Sequence, residues 1–166
     1  MKTRVFFFAA GFFALLASQT ALSHCQIPCG IYGDRTRFTL LREHVQTIEK
    51  SMLKIVDLEQ AEKLNGNQLT RWVNTKDEHA DELTRIITYY FLTQRVTPVP
   101  DGDSQERKDY LKKLELLHTI MVESMKSKQT TDTAHTQALM SLINDFEKLY
   151  FGETPDHDHD HDGHTH

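Results

Sequence analysis

The sequence lacks three features that would each point to a particular class of protein. It has only two cysteines in 166 residues, no excess of positive charge and no stretch with the alternating hydrophobicity of a β-strand. The formal net charge of −5 argues against nucleic acid or an anionic membrane surface as the main partner, because either favours a basic face. The length favours one globular domain, and without strand patterns or an internal repeat we predict an all-α fold.

The sequence also lacks an apolar run long enough for an ordinary membrane span. The longest run extends from Val5 to about Leu16, with two basic residues before it and a polar break after it. This arrangement is typical of a secretory signal peptide, with an uncleaved anchor as the alternative. Small residues suit cleavage after Ser23. We therefore predict a signal peptide at 1–23, a mature chain from His24 that is not attached to a membrane, and export to the periplasm or the exterior.

Helical periodicity dominates the chain after the N-terminal segment. Four segments carry apolar residues at alternating spacings of three and four, with charged residues between them. We expect the first helix to end at Asn65-Gly66, Asp103 or Ser104 to cap the third helix, and the fourth to begin near Thr131. The predicted core stripes are Phe38, Leu41, Val45, Ile48, Met52 and Ile55; Leu69, Trp72, Val73, Ala80, Leu83, Ile86, Ile87 and Tyr90; Tyr110, Leu111, Leu114, Leu117, Ile120 and Met121; and Ala134, Ala138, Leu142, Phe146 and Leu149.

Short connections between amphipathic helices favour antiparallel neighbours, so we predict an up-down antiparallel four-helix bundle. Together with the N-terminal segment described below, it forms a predicted domain at 24–152. Four histidines lie singly on these helices, with no other histidine or cysteine three or four positions away. We interpret each as a surface or hydrogen-bonded side chain rather than a metal ligand. They are His44, His79, His118 and His135.

The C-terminal segment 153–166 differs in kind from the helices. It includes PDHDHDHDGHTH, which cannot bury a core and is predicted to be disordered. Three interpretations stay open: a metal-collecting tract, a solubilising tail or an added affinity tag. We favour metal collection, because imidazoles and carboxylates suit nickel, copper and zinc. The candidate ligands in this tail are His157, His159, His161, His164 and His166.

Both cysteines lie in HCQIPCGIY, directly after the predicted cleavage point. A disulfide between Cys25 and Cys29 would close a loop of about five residues and stabilise the fold little. Metal binding is the alternative. The new α-amine of His24, the amide nitrogen of Cys25 and the two thiolates can close a square plane around one ion, with the imidazole approaching axially. Such a donor set suits nickel(II) or copper(II) better than zinc.

The residues around the second cysteine fit a compact hook. Pro28 restricts the backbone before Cys29, and Gly30 tolerates a dihedral that other residues avoid. The chain can therefore curl back toward its own first residue. Tyr32 would then lie near the open axial face, where a phenol can order a water molecule or a small anion.

HCQIPCGIY resembles the nickel hook of nickel-containing superoxide dismutases, which has the pattern His-Cys-x-x-Pro-Cys-Gly-x-Tyr at the mature N-terminus. Every fixed position matches, and these positions are His24, Cys25, Pro28, Cys29, Gly30 and Tyr32. The resemblance covers the chain from His24 to about Gly152 and implies a four-helix bundle. Gln26 differs from the aspartate of some family members, and a signal peptide stands where other members have a short propeptide.

The resemblance implies disproportionation of superoxide to oxygen and hydrogen peroxide at a mononuclear Ni(II)/Ni(III) centre, with one nickel ion per chain. It assigns nickel ligation to His24, Cys25 and Cys29, a hook-shaping cis proline to Pro28 and the substrate approach to Tyr32. It also implies a homohexamer, and we expect a nickel-loading partner. The alternatives are a secreted nickel or copper carrier with the same ligands but no turnover, and a structural bundle with an inert disulfide.

Overall fold

The computed structural model describes residues 30–152, where four helices and no strand occur. The helices are α1 (Asp34–Glu59), α2 (Gly66–Arg85), α3 (Gln105–Gln129) and α4 (Ala134–Phe151). Each packs against its neighbours in a closed ring, with α4 returning to α1. None of the described helices is both long and apolar enough to cross a bilayer. The predicted all-α four-helix fold is confirmed, whereas the predicted signal peptide and tail lie outside the described residues.

The core of the bundle contains the apolar stripe predicted for α1. All six of its members, from Phe38 to Ile55, are buried. The members from Phe38 to Val45 belong to one cluster with buried side chains of the other helices, including Leu83, Ile87, Leu117 and Ile143. Burying a side chain of this size contributes about 1.5–3 kcal/mol. Packing of these apolar faces is therefore what holds the four helices together.

The other stripes are only partly correct, because rotation of each helix about its axis decides which apolar row faces inward. Val73 and Leu111 were predicted to be core residues and are exposed. On α4 the buried row begins at Thr136 and shares only Phe146 with the predicted stripe, and Ala134 is exposed. Apolar residues form two adjacent rows on this helix, and contact with α1 and α3 selects between them. The buried row is Thr136, Leu139, Ile143 and Phe146.

Helix ends follow from local capping, and one prediction about them is wrong. Helix α1 ends at Glu59, well before Asn65-Gly66. Asn65 instead begins α2, because its side-chain oxygen accepts a hydrogen bond from the backbone N–H of Gln68 at 3.2 Å. The predicted cap of α3 is confirmed, since Ser104 Oγ accepts from the Arg107 N–H at 3.2 Å.

Helix α2 continues without a break into a π-helical segment, Ile86–Arg95, which the helical periodicity of the sequence did not predict. Its i→i+5 pattern is represented by the Val96 N–H donating to the Phe91 carbonyl at 2.8 Å. The hydroxyl of Thr93 and the side-chain amide of Gln94 donate to carbonyls five residues earlier, both at 2.7 Å. Because this wider turn places residues five apart one above the other, Tyr90 and Arg95 reach the same end of the bundle.

Candidate metal centre

The structure describes only part of the predicted hook. Gly30 and Tyr32 lie within the described residues, and the proposed ligands His24, Cys25 and Cys29 lie outside them, as do Pro28 and the five tail histidines. From residue 30 to residue 152, no three His, Cys, Asp or Glu side chains are arranged to hold a metal ion. The described residues therefore show the surface of the bundle that the hook joins.

The chain enters this surface through a short segment bounded by two glycines. Gly30, directly after Cys29, has a φ of +69°, a left-handed conformation that a side chain would strain. Gly33 precedes α1, and its carbonyl accepts the first helical hydrogen bond, from the Arg37 N–H at 3.0 Å. The reversal after Cys29 and the start of α1 are thus only four residues apart.

Tyr32 lies between these glycines and makes two aromatic contacts. The guanidinium carbon of Arg95 is 4.4 Å from the centroid of its ring, a cation–π contact. The ring of Tyr90 meets it edge to face, with 6.3 Å between centroids. Tyr32 nevertheless keeps 49% of its surface exposed. It is therefore held against the bundle while remaining accessible to a small molecule.

Asp34, the first residue of α1, is the centre of a hydrogen-bond network beneath Tyr32. Arg95 donates to both of its oxygens, from Nε at 3.0 Å and from Nη2 at 2.6 Å. The Tyr150 hydroxyl donates to the second oxygen at 3.0 Å, and the Tyr90 hydroxyl donates to the first. The network joins the start of α1, the end of the π-helical segment and the end of α4.

Electrostatics keep this network in one protonation state. Burial alone would raise the pKa of Asp34, but hydrogen bonds from Arg95, Tyr90 and Tyr150 outweigh it and lower that pKa below its ordinary value. Burial, followed by the hydrogen bond to Asp34, raises the pKa of Tyr90 far above that of a free phenol. The same two causes raise the pKa of Tyr150. Near neutral pH the carboxylate is ionised and both phenols are protonated.

Aromatic rings form the floor under the network. The ring of Phe38 on α1 lies 5.0 Å from that of Phe91 and 5.3 Å from that of Phe146, measured between centroids. Tyr150 and Phe151 also pack against Phe38. This cluster is apolar and tightly packed, so the four polar side chains above it rest on a rigid base.

Three more cations surround the same end of the bundle. Arg35 lies over the ring of Phe151 at 4.7 Å, and Arg37 lies over the ring of Tyr90 at 4.9 Å. Lys113 on α3 lies 5.9 Å from the ring centroid of Tyr150. In a chain with a formal net charge of −5, this local concentration of positive charge favours the approach of an anion.

The network could not be recognised in the sequence because its members are far apart along the chain. Arg95 is 61 positions from Asp34, and Tyr150 is 116 positions from it. One local signal was present: Asp34 stands in the first turn of a helix, where its charge suits the helix dipole, and only two residues after Tyr32. Nothing local identified Tyr90, Arg95 or Tyr150 as its partners.

The donors that precede Gly30 in the sequence fit a nickel ion. Two thiolates and nitrogen donors suit nickel and copper. The left-handed backbone of Gly30 is what a chain needs to turn back directly after Cys29. The donor set in the sequence and the described backbone beside it are therefore compatible with the metal.

Comparison with known proteins agrees with the hook motif. The family model described as nickel-containing superoxide dismutase matches residues 19–154, which is well over half of the chain. Searches of curated proteins and of solved structures find no match. The chain therefore belongs to the nickel-containing superoxide dismutase family: it is an oxidoreductase with a nickel cofactor and superoxide as its substrate.

Proposed function

We propose that the mature chain begins at His24 and that His24, Cys25 and Cys29 hold one nickel ion. The amine and imidazole of His24, the amide nitrogen of Cys25 and both thiolates are the donors. When bound, nickel supplies one-electron chemistry between its +2 and +3 states, which oxidises one superoxide to oxygen and, with two protons, reduces a second to hydrogen peroxide. Anionic thiolate and amide donors favour the higher oxidation state because they increase electron density at the metal.

Tyr32 has the role of ordering substrate or water beside the hook. The observation that supports this role is its placement: the ring is held by Arg95 and Tyr90, yet about half of the residue remains exposed. A phenol in this position can donate a hydrogen bond to a small anion. Arg35 and Arg37 contribute positive charge that increases the rate at which superoxide arrives.

Assembly, export and metal supply are further parts of the proposal. The chain assembles into a homohexamer with buried hooks, in which a neighbouring subunit would cover Ile31 and Tyr32, two adjacent side chains that are exposed to 73% and 49%. The signal peptide delivers the chain to the periplasm or the exterior. There the tail histidines, from His157 to His166, collect nickel, and a loading partner transfers it to the hook.

The experiment begins with N-terminal sequencing of the exported protein, which should read His-Cys-Gln. One alanine inserted before His24 displaces the amine, so superoxide removal should disappear while the helical circular dichroism is unchanged. A matched alanine inserted between Asp160 and His161 in the tail should leave the activity of nickel-loaded enzyme intact. Full activity of the first insertion would exclude the amine as a ligand. About one nickel per chain without turnover would favour a carrier.

A further inference from the structure

We infer that Asp34 and Arg95 act as a positioning pair that fixes Tyr32 and the segment leading into the hook against the bundle. This inference rests on the proposed role of Tyr32 beside the substrate. Neither member of the pair is assigned a part in the chemistry. Their effect on the reaction passes through Tyr32.

One guanidinium holds both residues that flank Gly33. Arg95 binds Asp34 through two N–H···O hydrogen bonds, at 3.0 and 2.6 Å, and its guanidinium carbon lies 4.4 Å from the Tyr32 ring centroid. The planar fork of arginine can pair with a carboxylate along its edge while its face packs on a ring, which a lysine cannot reproduce. With residues 32 and 34 both held, the direction in which the chain enters α1 is determined.

The segment needs such support because its own backbone provides little rigidity. Gly30 and Gly33 bound it, and glycine restricts backbone dihedrals least of all residues. Ile31 and Tyr32 are both exposed, so core packing does not immobilise them. The contact with Arg95 supplies a fixed point from the far end of the π-helical segment, and the ring of Phe91 packs that segment against Phe38 on α1.

The charge of the Arg95–Asp34 pair and its hydrogen bonds indicate that it positions Tyr32, and that it neither attracts superoxide nor transfers protons. Arg95 and Asp34 neutralise each other in their paired geometry, so the pair adds little net charge to attract superoxide. Four donors, two from Arg95 and one each from Tyr90 and Tyr150, occupy the carboxylate of Asp34. A carboxylate with about four acceptor positions is then saturated and is not free to relay protons to substrate.

The matched control is the Arg42–Glu147 pair, another arginine–carboxylate contact between helices. It joins α1 to α4, its side chains are exposed to 29% and 26%, and Arg42 also donates to Asn144 at 3.2 Å. The side chains of Arg95 and Asp34 are exposed to 28% and 17%. The two pairs therefore resemble each other in chemistry and burial. Of the two arginines, Arg95 is the one that contacts Tyr32 within residues 30–152.

The test compares full-length Arg95→Gln, Arg95→Lys, Asp34→Asn and Arg42→Gln. In the nickel-loaded proteins, the rate constant for superoxide removal should fall about tenfold in the first three and stay near the wild-type value in Arg42→Gln. In the metal-free proteins, and in the first three only, amide hydrogen exchange should accelerate at Arg37, whose N–H bonds the Gly33 carbonyl, and at the residues that follow it in α1. Equal behaviour of Arg95→Gln and Arg42→Gln in both measurements would overturn the inference, as would a wild-type rate and exchange pattern in Arg95→Lys.

Arg95→Gln could fold poorly, so a double-mutant cycle combines Tyr32→Leu with Arg95→Lys instead. The lysine keeps the positive charge of the native side chain. If Arg95 acts through Tyr32, then Arg95→Lys should have little further effect on the rate once Tyr32 is leucine. An undiminished effect would contradict the inference. A wild-type enzyme without superoxide activity would refute the proposed function instead, and hydrogen exchange would still decide on the positioning pair.

Discussion

His44 on α1 and His79 on α2 lie with their Nδ1 atoms 2.8 Å apart. Their ring centroids are 5.0 Å apart, so the two nitrogens point almost directly at each other. One of them donates its proton to the other, so each Nδ1 has a hydrogen-bond partner between the helices. Each histidine was predicted to be hydrogen-bonded or on the surface, and the structure shows that they are each other's partners across 35 positions of sequence.

This pair predicts a dependence of stability on pH. Burial, followed by the charge of His79, lowers the pKa of His44, and the carboxylates of Glu82 and Glu43 oppose that shift only in part. The folded state therefore binds a proton less readily than the unfolded chain does. The contribution of neutral His44 is fully present above the unfolded pKa of about 6.5 and is lost as pH falls through the folded pKa.

Urea unfolding at about pH 7.5 and pH 5 measures this effect. The loss of unfolding free energy on acidification should be smaller in His44→Gln than in the wild type. His118→Gln, at an exposed position on α3, is the control and should retain the wild-type difference. An identical difference in His44→Gln would show that His44 does not contribute.

Lys76 is a buried cation, and we expect its removal to lower the stability of the fold substantially. Its side chain is 4% exposed, and Nζ donates to the Ser127 carbonyl at 3.0 Å and to the Lys128 carbonyl. These carbonyls lie at the C-terminal end of α3, where the helix dipole is negative. Asp77 Oδ1 is 3.2 Å from Nζ but not aligned for a hydrogen bond. The ammonium therefore joins α2 to the end of α3.

Replacing Lys76 by methionine leaves the α3 carbonyls without this donor and should lower the unfolding free energy by about 1–3 kcal/mol. Denaturant titration provides the measurement. Lys112→Met removes a lysine that is more than half exposed and pairs with Glu115 one turn away, so it should change stability by less than about 0.5 kcal/mol. Similar losses in both variants would mean that burial does not distinguish the two lysines.

Arg35 and Arg37 predict an electrostatic effect on the reaction rate. Changing both to glutamine removes positive charge near Tyr32 and should lower the second-order rate constant several-fold at low ionic strength, with convergence toward the wild type at high salt. Pulse radiolysis at a series of salt concentrations makes the comparison. Arg71→Gln changes an exposed arginine near the start of α2, whereas the end of α2 leads toward Arg95 and Tyr32. This control should have little effect. A salt-independent loss in the double variant would indicate a structural cause.

The tail predicts a separation between metal acquisition and catalysis. Deleting 155–166 removes all five tail histidines and should slow nickel uptake when the metal is scarce, because imidazoles no longer concentrate it. The rate constant of fully loaded enzyme should be unchanged. Replacing the five histidines by asparagine, with the aspartates kept, separates imidazole binding from tail charge. Unaltered uptake in both proteins would assign the tail another role.

The sequence by itself determined the helical class, the stripe of α1, the cap at Ser104 and the family motif, because each depends on residues close together in the chain. Capping and helical periodicity extend over a few residues, and the six fixed positions of HCQIPCGIY lie within nine. Family membership followed from that motif, and the match over 19–154 confirmed it.

Only the tertiary structure decided which side chains meet across helices. The partners of Asp34, the His44–His79 pair and the buried row of α4 depend on how each helix is rotated and how closely it approaches its neighbours. The π-helical widening that places Tyr90 and Arg95 together beneath Tyr32 depends on the same packing. Those rotations are set by the whole core at once, so no local pattern specified that Arg95 would lie against the residue that leads into the hook.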